Sequence, residues 1–261
     1  MDILKIPSLE KTVTEIAETA GHLWEKGWAE RNAGNISVNI TGLVTPAGLE
    51  IFSNSILYPL SLNLSSLANQ VLMVTTAGSR MRDLAKNPWD YLCLLQIEAS
   101  GTRFSQWPDK GRAPTSEFPT HLVVHNMFVQ TNSTAMVLLH AHVTELIALT
   151  HIREFCSSEA LNRLLWGMHP ESYLFIPEGL AFIPYDLPGT TDIALASALA
   201  LQDHSIAIWE KHGVLATGTS VAAAFDNIDL LATSARIYFM VKGTGYEPEG
   251  LTDDQLEGLS K

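Results

Sequence analysis

Cysteine is nearly absent: the 261-residue chain has two, Cys93 and Cys156, with no CxxC or mixed Cys/His ribbon spacing. That excludes a disulfide framework and a thiolate zinc site, and both thiols read as free and reduced. Positive charge is also scarce. Sixteen Lys and Arg stand against 28 Asp and Glu, a formal net charge of -12 with no basic run. Such a chain suits neither nucleic acid nor an anionic membrane, so a small anionic substrate would have to be held by local donors. Long hydrophobic runs are missing too. The longest, near Ile193–Leu201, is interrupted by Ser197 and is too short to span a bilayer. The opening residues MDILKIPSLEKTV lack the basic-then-apolar order of a secretory signal. These absences point to a soluble, cytoplasmic protein. What is present is apolar bulk: 46% hydrophobic residues, enough for one large core, so a single domain over 1–261 is expected.

Periodicity then assigns elements. Val13, Ile16, Ala17, Ala20, Leu23 and Trp24 recur at helical spacing, which predicts an amphipathic helix over Leu9–Lys26 that stops near Gly27. A polar Gly/Asn loop follows, then the alternation Ile36, Val38, Ile40, which reads as a strand. Residues Thr45–Leu67 read as an irregular excursion. Strands are expected at Val71–Thr75, Tyr91–Glu98, Gly101–Trp107, Ala135–His142, Tyr173–Ile176, Phe182–Tyr185 and Ser205–Trp209. Helices are expected at Met81–Lys86, from Pro114 with Ser116 as N-cap to about Val129, and at Thr144–Ile152, Ser158–Met168 and Thr191–Leu201. A long helix over Ser220–Lys242, stopped by Gly243, precedes an acidic tail. Strands and helices intersperse without strict alternation, so the fold class is α/β, a central mixed or antiparallel sheet flanked by helices.

The chemistry concentrates in histidine. His140-Ala-His142 ends an apolar strand. Residues i and i+2 of a strand share a face, roughly 6.5–7 Å apart, so two imidazoles can converge on one ion. A catalytic zinc site takes three protein ligands and keeps one position open. His212, before Gly213 at the end of another apolar run, supplies the third, with the glycine permitting a tight turn. A pair of this kind also occurs without metal. His121 and His125, spaced i, i+4 on a helix, form a rival pair but lack the glutamate of a metalloprotease helix; they read as packing or hydrogen bonding near the site. Glu117 is the single acid between Lys110 and His140. At a helix start it is either a complement to the helix dipole or, beside a metal, a carboxylate that moves a proton. The loops Asn32-Ala-Gly-Asn35 and Thr75-Thr-Ala-Gly-Ser79 are turns whose backbone N–H groups can cradle a phosphate.

In this order the pieces resemble the class II aldolase/adducin-head family, from about Glu18 to Lys242. The resemblance rests on Gly27-Trp-Ala-Glu-Arg-Asn-Ala-Gly-Asn35, Pro114-Thr-Ser-Glu117, Leu139-His-Ala-His-Val-Thr-Glu-Leu-Ile-Ala-Leu149, Leu165-Trp166-Gly167, Pro177-Glu-Gly179, Pro188-Gly189-Thr190 and Lys211-His-Gly213. It implies a zinc-dependent aldehyde-lyase that splits a ketose 1-phosphate to dihydroxyacetone phosphate and an aldehyde. Zinc, one ion per subunit, would be held by His140, His142 and His212. Glu117 would be the acid/base, and Asn32 would bond the enediolate oxygen. Gly34, Asn35, Ser116 and the turn Thr75, Thr76, Ala77, Gly78 would bind substrate and its phosphate. It further implies a cyclic homotetramer with sites at subunit interfaces, where Glu171 would reach a neighbour's site. One stretch departs: the family turn typically reads Thr-Gly-Ser-Gly-Lys, so a serine hydroxyl and a lysine charge are missing here. Epimerases and other sugar-phosphate aldolases share the chemistry, and a metal-free adducin-type scaffold is the alternative without chemistry.

Overall fold

The helix expected over Leu9–Lys26 spans Pro7–Glu25 (α1) in the computed structural model, which describes residues 7–109 and 111–259. It ends where Gly27 takes φ 77°, a left-handed conformation that glycine adopts without a Cβ penalty. The chain then runs β1 (Asn35–Asn39), β2 (Leu57–Pro59), β3 (Val71–Thr75), α2 (Met81–Leu84), β4 (Leu92–Ile97), β5 (Arg103–Trp107), α3 (Phe118–Gln130), β6 (Val137–Ala141) and α4 (Thr144–Leu149). It continues through α5 (Ser158–Met168), α6 (Pro170–Phe175), β7 (Leu180–Ile183), α7 (Thr191–Ala200), β8 (Ile206–Trp209), β9 (Gly213–Gly218), α8 (Val221–Gly243) and α9 (Asp253–Leu259). Side-chain oxygens of Ser157, Thr190 and Ser220 each accept a backbone N–H of the first turn of α5, α7 and α8, satisfying donors the helix cannot.

The strands form one mixed sheet in the order β2-β5-β4-β3-β1-β6-β9-β8-β7. Neighbours are antiparallel except β7 and β8. Alternate residues sort to two cores. Ile36, Val38, Leu139, Ala141 and Val214 join one with residues of α1 and α8. Leu72, Leu138 and Leu215 join the other with residues of α3 and α7. The sheet is therefore covered on both faces. Each Leu or Ile sealed in this way contributes about 1.5–3 kcal/mol relative to exposure. Among the described residues, no helix is long and apolar enough to cross a membrane.

The structure departs from the sequence-based expectations at several places, and the strand expected at Phe182–Tyr185 lies two residues earlier. Strand β9 was not expected, and it follows β8 after only Glu210, Lys211 and His212. The stretch Leu57–Pro59, inside the expected irregular excursion, adds an edge strand to β5, where a proline at the strand's end interrupts no ladder. Tyr173–Ile176 is not a strand. Its first three residues close α6, which Pro170 opens at the first turn, and Ser172 is bonded to Ser234 of α8 at 2.6 Å. Helix α8 runs through Gly243 and is capped by Thr244. Finally, the N-cap of α3 is Glu117 rather than Ser116, and no side chain caps it. The residue that organises that corner is buried Thr115, whose Oγ1 accepts the Glu117 N–H at 3.4 Å and whose N–H reaches Thr75 O.

Candidate functional site

The site grows from the pairing of three strands. Asn35 at the start of β1 lies opposite His140 on β6, and His140 lies opposite Leu215 on β9. His142 follows β6 by one residue, on the same face as His140. The β8–β9 turn delivers His212 to them. Ligand-type atoms of His140, His142 and His212 all lie within 4.8 Å of one another, and the ring centroids are 5.0–5.2 Å apart. The expected tight-turn role of Gly213 is filled differently. Lys211 takes the left-handed conformation, φ 59°. Gly213 instead provides room: a Cβ there would lie 2.6 Å from His140 Cε1 and 2.7 Å from Ala141 O.

The hydrogen bonds leave the imidazoles ready for a cation. His140 Nδ1 donates to Val214 O at 3.1 Å, and its buried Nε2 has no partner. His142 Nδ1 lies 2.6 Å from Glu30 Oε1, an arrangement that leaves Nε2 as a lone pair. His212 Nδ1 is also buried without a partner, and its ring stacks on Trp209. Burial, the largest cause, pushes the His140 pKa down to about 3 and that of His212 to about 4. Both rings are therefore neutral at pH 7, the form that binds metal. Three converging imidazoles, two of them neutral and each with a buried nitrogen that has no partner, with no thiolate nearby, fit a divalent ion such as zinc with an open position. Glu30, which orients His142, was missed from sequence. It sits in a loop, and its role exists only through the fold.

Glu117 faces the cluster. Its carboxylate oxygens are 3.6 Å from His140 Nε2 and 3.6 Å from His212 Nε2, beyond hydrogen-bond length. Its own bond is from Asn35 Nδ2, 2.9 Å from Oε2. Burial raises the Glu117 pKa, against lowering by the Asn35 bond and by His212 and His142. Asn35 is thus engaged with Glu117 and, through Oδ1, with His121. His121 and His125 project from α3 onto the sheet face that carries Asn35 and Ser37, and both rings bond Ser37 Oγ.

The remaining expected residues divide. Ala77 N–H reaches Ala113 O and Thr115 N–H reaches Thr75 O, which clips the Thr75–Ser79 turn to the segment leading into Glu117. Exposed Ala77, Gly78 and Ser116 therefore lie on one rim. The hydroxyls of Thr75 and Thr76 turn inward, Thr75 Oγ1 to Ile36 N–H and Thr76 Oγ1 to Ser79 Oγ. Gly34, with φ 85°, packs on β6, where a Cβ would lie 3.3 Å from His140 O. Asn32 is exposed in the same loop. Glu171 lies on α6, packed with α5, α8 and α9, and pairs with His169 at 3.1 Å rather than with the histidine cluster.

Known proteins resemble this chain in sequence and fold. The family described as Class II Aldolase and Adducin N-terminal domain matches residues 14–239. A rhamnulose-1-phosphate aldolase of Bacteroides thetaiotaomicron is 41% identical over 254 residues, 97% of this chain and 94% of that protein. One from Listeria welshimeri is 31% identical over 251 residues, 95% of this chain and 90% of that protein. The crystal structure of a sugar-phosphate aldolase from Thermotoga maritima superposes with a TM-score of 0.80 at 30% identity, covering 92% of this chain and 99% of that one.

Proposed function

The chain belongs to the class II aldolase and adducin N-terminal domain family, and on that premise we propose that it is a zinc-dependent L-rhamnulose-1-phosphate aldolase. It would cleave this ketose 1-phosphate reversibly to dihydroxyacetone phosphate and L-lactaldehyde, in rhamnose breakdown in the cytoplasm. The observation that carries the reading is a buried carboxylate, Glu117, held 3.6 Å from two members of a three-histidine cluster. The names of the relatives at 41% and 31% identity supply the substrate.

His140, His142 and His212 would hold the ion. When bound, a divalent ion there supplies Lewis-acid polarisation of the ketose carbonyl. The rest falls to side chains. As the hydroxyl beside the scissile bond gives its proton to bulk water, the carbon–carbon electrons move into the enediolate of dihydroxyacetone phosphate, and the aldehyde leaves. Glu117 then gives a proton to the enediolate carbon, and takes it back in the synthetic direction. Asn32 would bond the enediolate oxygen. The rim of Ala77, Gly78 and Ser116 would receive the phosphate through backbone N–H groups and the serine hydroxyl, while Thr75, Thr76, Gly34 and Asn35 shape it from behind. The subunits would assemble as a homotetramer in which Glu171 serves a neighbouring site.

The test is release of dihydroxyacetone phosphate from L-rhamnulose 1-phosphate, with and without a chelator. Release that the chelator abolishes and zinc restores supports the proposal. A zinc-loaded protein that leaves this substrate intact but cleaves fuculose 1-phosphate, or epimerises ribulose 5-phosphate, overturns the substrate. Failure to bind any divalent ion points to an adducin-type scaffold.

A further inference from the structure

Behind Glu117, the layer between β1 and α3 holds polar side chains where apolar ones would pack without needing partners. Ser37 and His125 have no exposed surface, His121 has 1% and Asn35 6%. They form one continuous chain of hydrogen bonds that ends on the Glu117 carboxylate, and its direction can be read bond by bond. Asn35 Nδ2 donates to Glu117 Oε2 at 2.9 Å, so Asn35 Oδ1 is left as acceptor. It meets His121 Nε2, which must therefore carry the hydrogen. A neutral imidazole has one N–H, so His121 Nδ1 accepts, and its partner is Ser37 Oγ at 2.6 Å. That uses the single Ser37 hydrogen. Ser37 Oγ then accepts from His125 Nε2 at 2.7 Å. His125 Nδ1, buried without a partner, is the bare lone pair on which such a chain terminates. Burial keeps both rings neutral, with the His125 pKa pushed down to about 3 and that of His121 well below its ordinary value.

We infer that Ser37, His121 and His125 are positioning residues for Glu117, acting through Asn35; this rests on the reading of Glu117 as the acid/base. Together they fix which end of the Asn35 amide faces the carboxylate. The two ends of an amide are nearly identical in shape. The Glu117 carboxylate favours the nitrogen end by accepting from it, and the His121 N–H locks that choice from the other side by demanding an oxygen. Without that demand the amide can turn and set its oxygen against Glu117 Oε2, which loses a donor, meets a repulsive dipole and swings from its place. A group that must stand within hydrogen-bond reach of one substrate carbon is sensitive to such a shift.

Proton exchange isolates this effect, because it needs Glu117 and no aldehyde. The protein is loaded with zinc, given dihydroxyacetone phosphate in D2O, and deuterium entering the carbon is followed by NMR. Ser37→Ala and His121→Leu break the chain. His121→Gln keeps a side-chain N–H for Asn35 and an acceptor for Ser37. We expect roughly ten- to hundredfold slower exchange in Ser37→Ala and His121→Leu, with zinc content and half-saturating substrate concentration unchanged, and rates near wild type in His121→Gln. Wild-type exchange in Ser37→Ala overturns the inference. So does equal loss in His121→Leu and His121→Gln, or loss that follows zinc content, since each marks a merely structural role. If the wild-type protein itself exchanges nothing, the proposed function fails instead, so the two failures are separable.

Discussion

Replacing Glu117 with glutamine keeps the side chain's shape and removes its proton chemistry. Glu117→Gln should retain its zinc, measured by elemental analysis, and lose about 10²–10⁴ in turnover, the usual share of a general acid/base. Turnover near wild type would remove Glu117 from its assigned role. Gly213→Ala addresses the proposed metal site directly. A Cβ at 2.6 Å from the His140 ring and 2.7 Å from Ala141 O has no room, and backbone cannot retreat as a flexible side chain would. We expect at least about tenfold weaker zinc binding by calorimetry, in line with the cost of disturbing groups that orient a metal ligand. Most of this site could be read from sequence. The period of a strand puts His140 and His142 on one face, whereas an isolated acid at a helix start leaves Glu117 open between a dipole complement and a base, and the family resemblance is what assigns it. Glu30 could not be read, because its contact with His142 joins residues 112 apart in sequence. Ser37 could not either. Alternating with Ile36 and Val38, it has the pattern of a solvent-facing position, yet it is fully buried against α3.

Elements were legible where one force dominated. Helix α5 was predicted to the residue, Ser158–Met168, because apolar spacing and its Ser157 cap agree. Strand β9 was hidden by glycines at both ends and by a turn too short to separate it from β8. Residues 173–176, aromatic and apolar, have strand-like composition, but Pro170 and the contact with α8 make the first three helical. One half-buried side chain ties three segments together. Glu145 of α4 accepts from Trp28 Nε1 at 2.9 Å and from Arg236 of α8 at 2.6 Å. Trp28 is fully buried and its carbonyl accepts the His142 N–H at 2.9 Å. Glu145→Ala leaves the indole donor unmet, which costs about 1–3 kcal/mol. In a chain of this length that corresponds to a fall in melting temperature of roughly 2–10 °C, checked by thermal denaturation. An unchanged melting temperature would show that water replaces the carboxylate.

For the whole molecule, the buried histidines make stability depend on pH. His125 has its pKa pushed down from 6.5 to about 3, and His121 shifts in the same direction. Between these values the unfolded chain binds protons that the folded one refuses, so stability rises with pH there. It is fully present above about pH 6.5 and declines as pH falls toward 3, by up to about 1.4 kcal/mol per pH unit for each such histidine. Denaturant midpoints of the metal-stripped protein at pH 7 and pH 5 measure this, and equal midpoints would contradict the burial. Chelation should act at the same scale. An ion bound only by the folded state at a hundredfold excess over its Kd contributes about 2.7 kcal/mol, so stripping it should lower the melting temperature by roughly 5–10 °C and zinc should restore it.

The polar stripe on β1 also bears on how the chain finds its alignment. A strand between two apolar layers has little to tell it which way up to lie, since a slip of one residue exchanges its faces. In β1 such a slip would press Asn35 and Ser37 into the layer of Ile16 and Ile228 and bring Ile36 against two histidines, leaving every polar atom on both sides stranded. Strand β1 sits between β3 and β6 near the middle of a nine-stranded sheet, so its neighbours inherit its alignment. Serine and histidine thus act as a key between strand and helix, and a sheet assembled out of step is penalised at its centre.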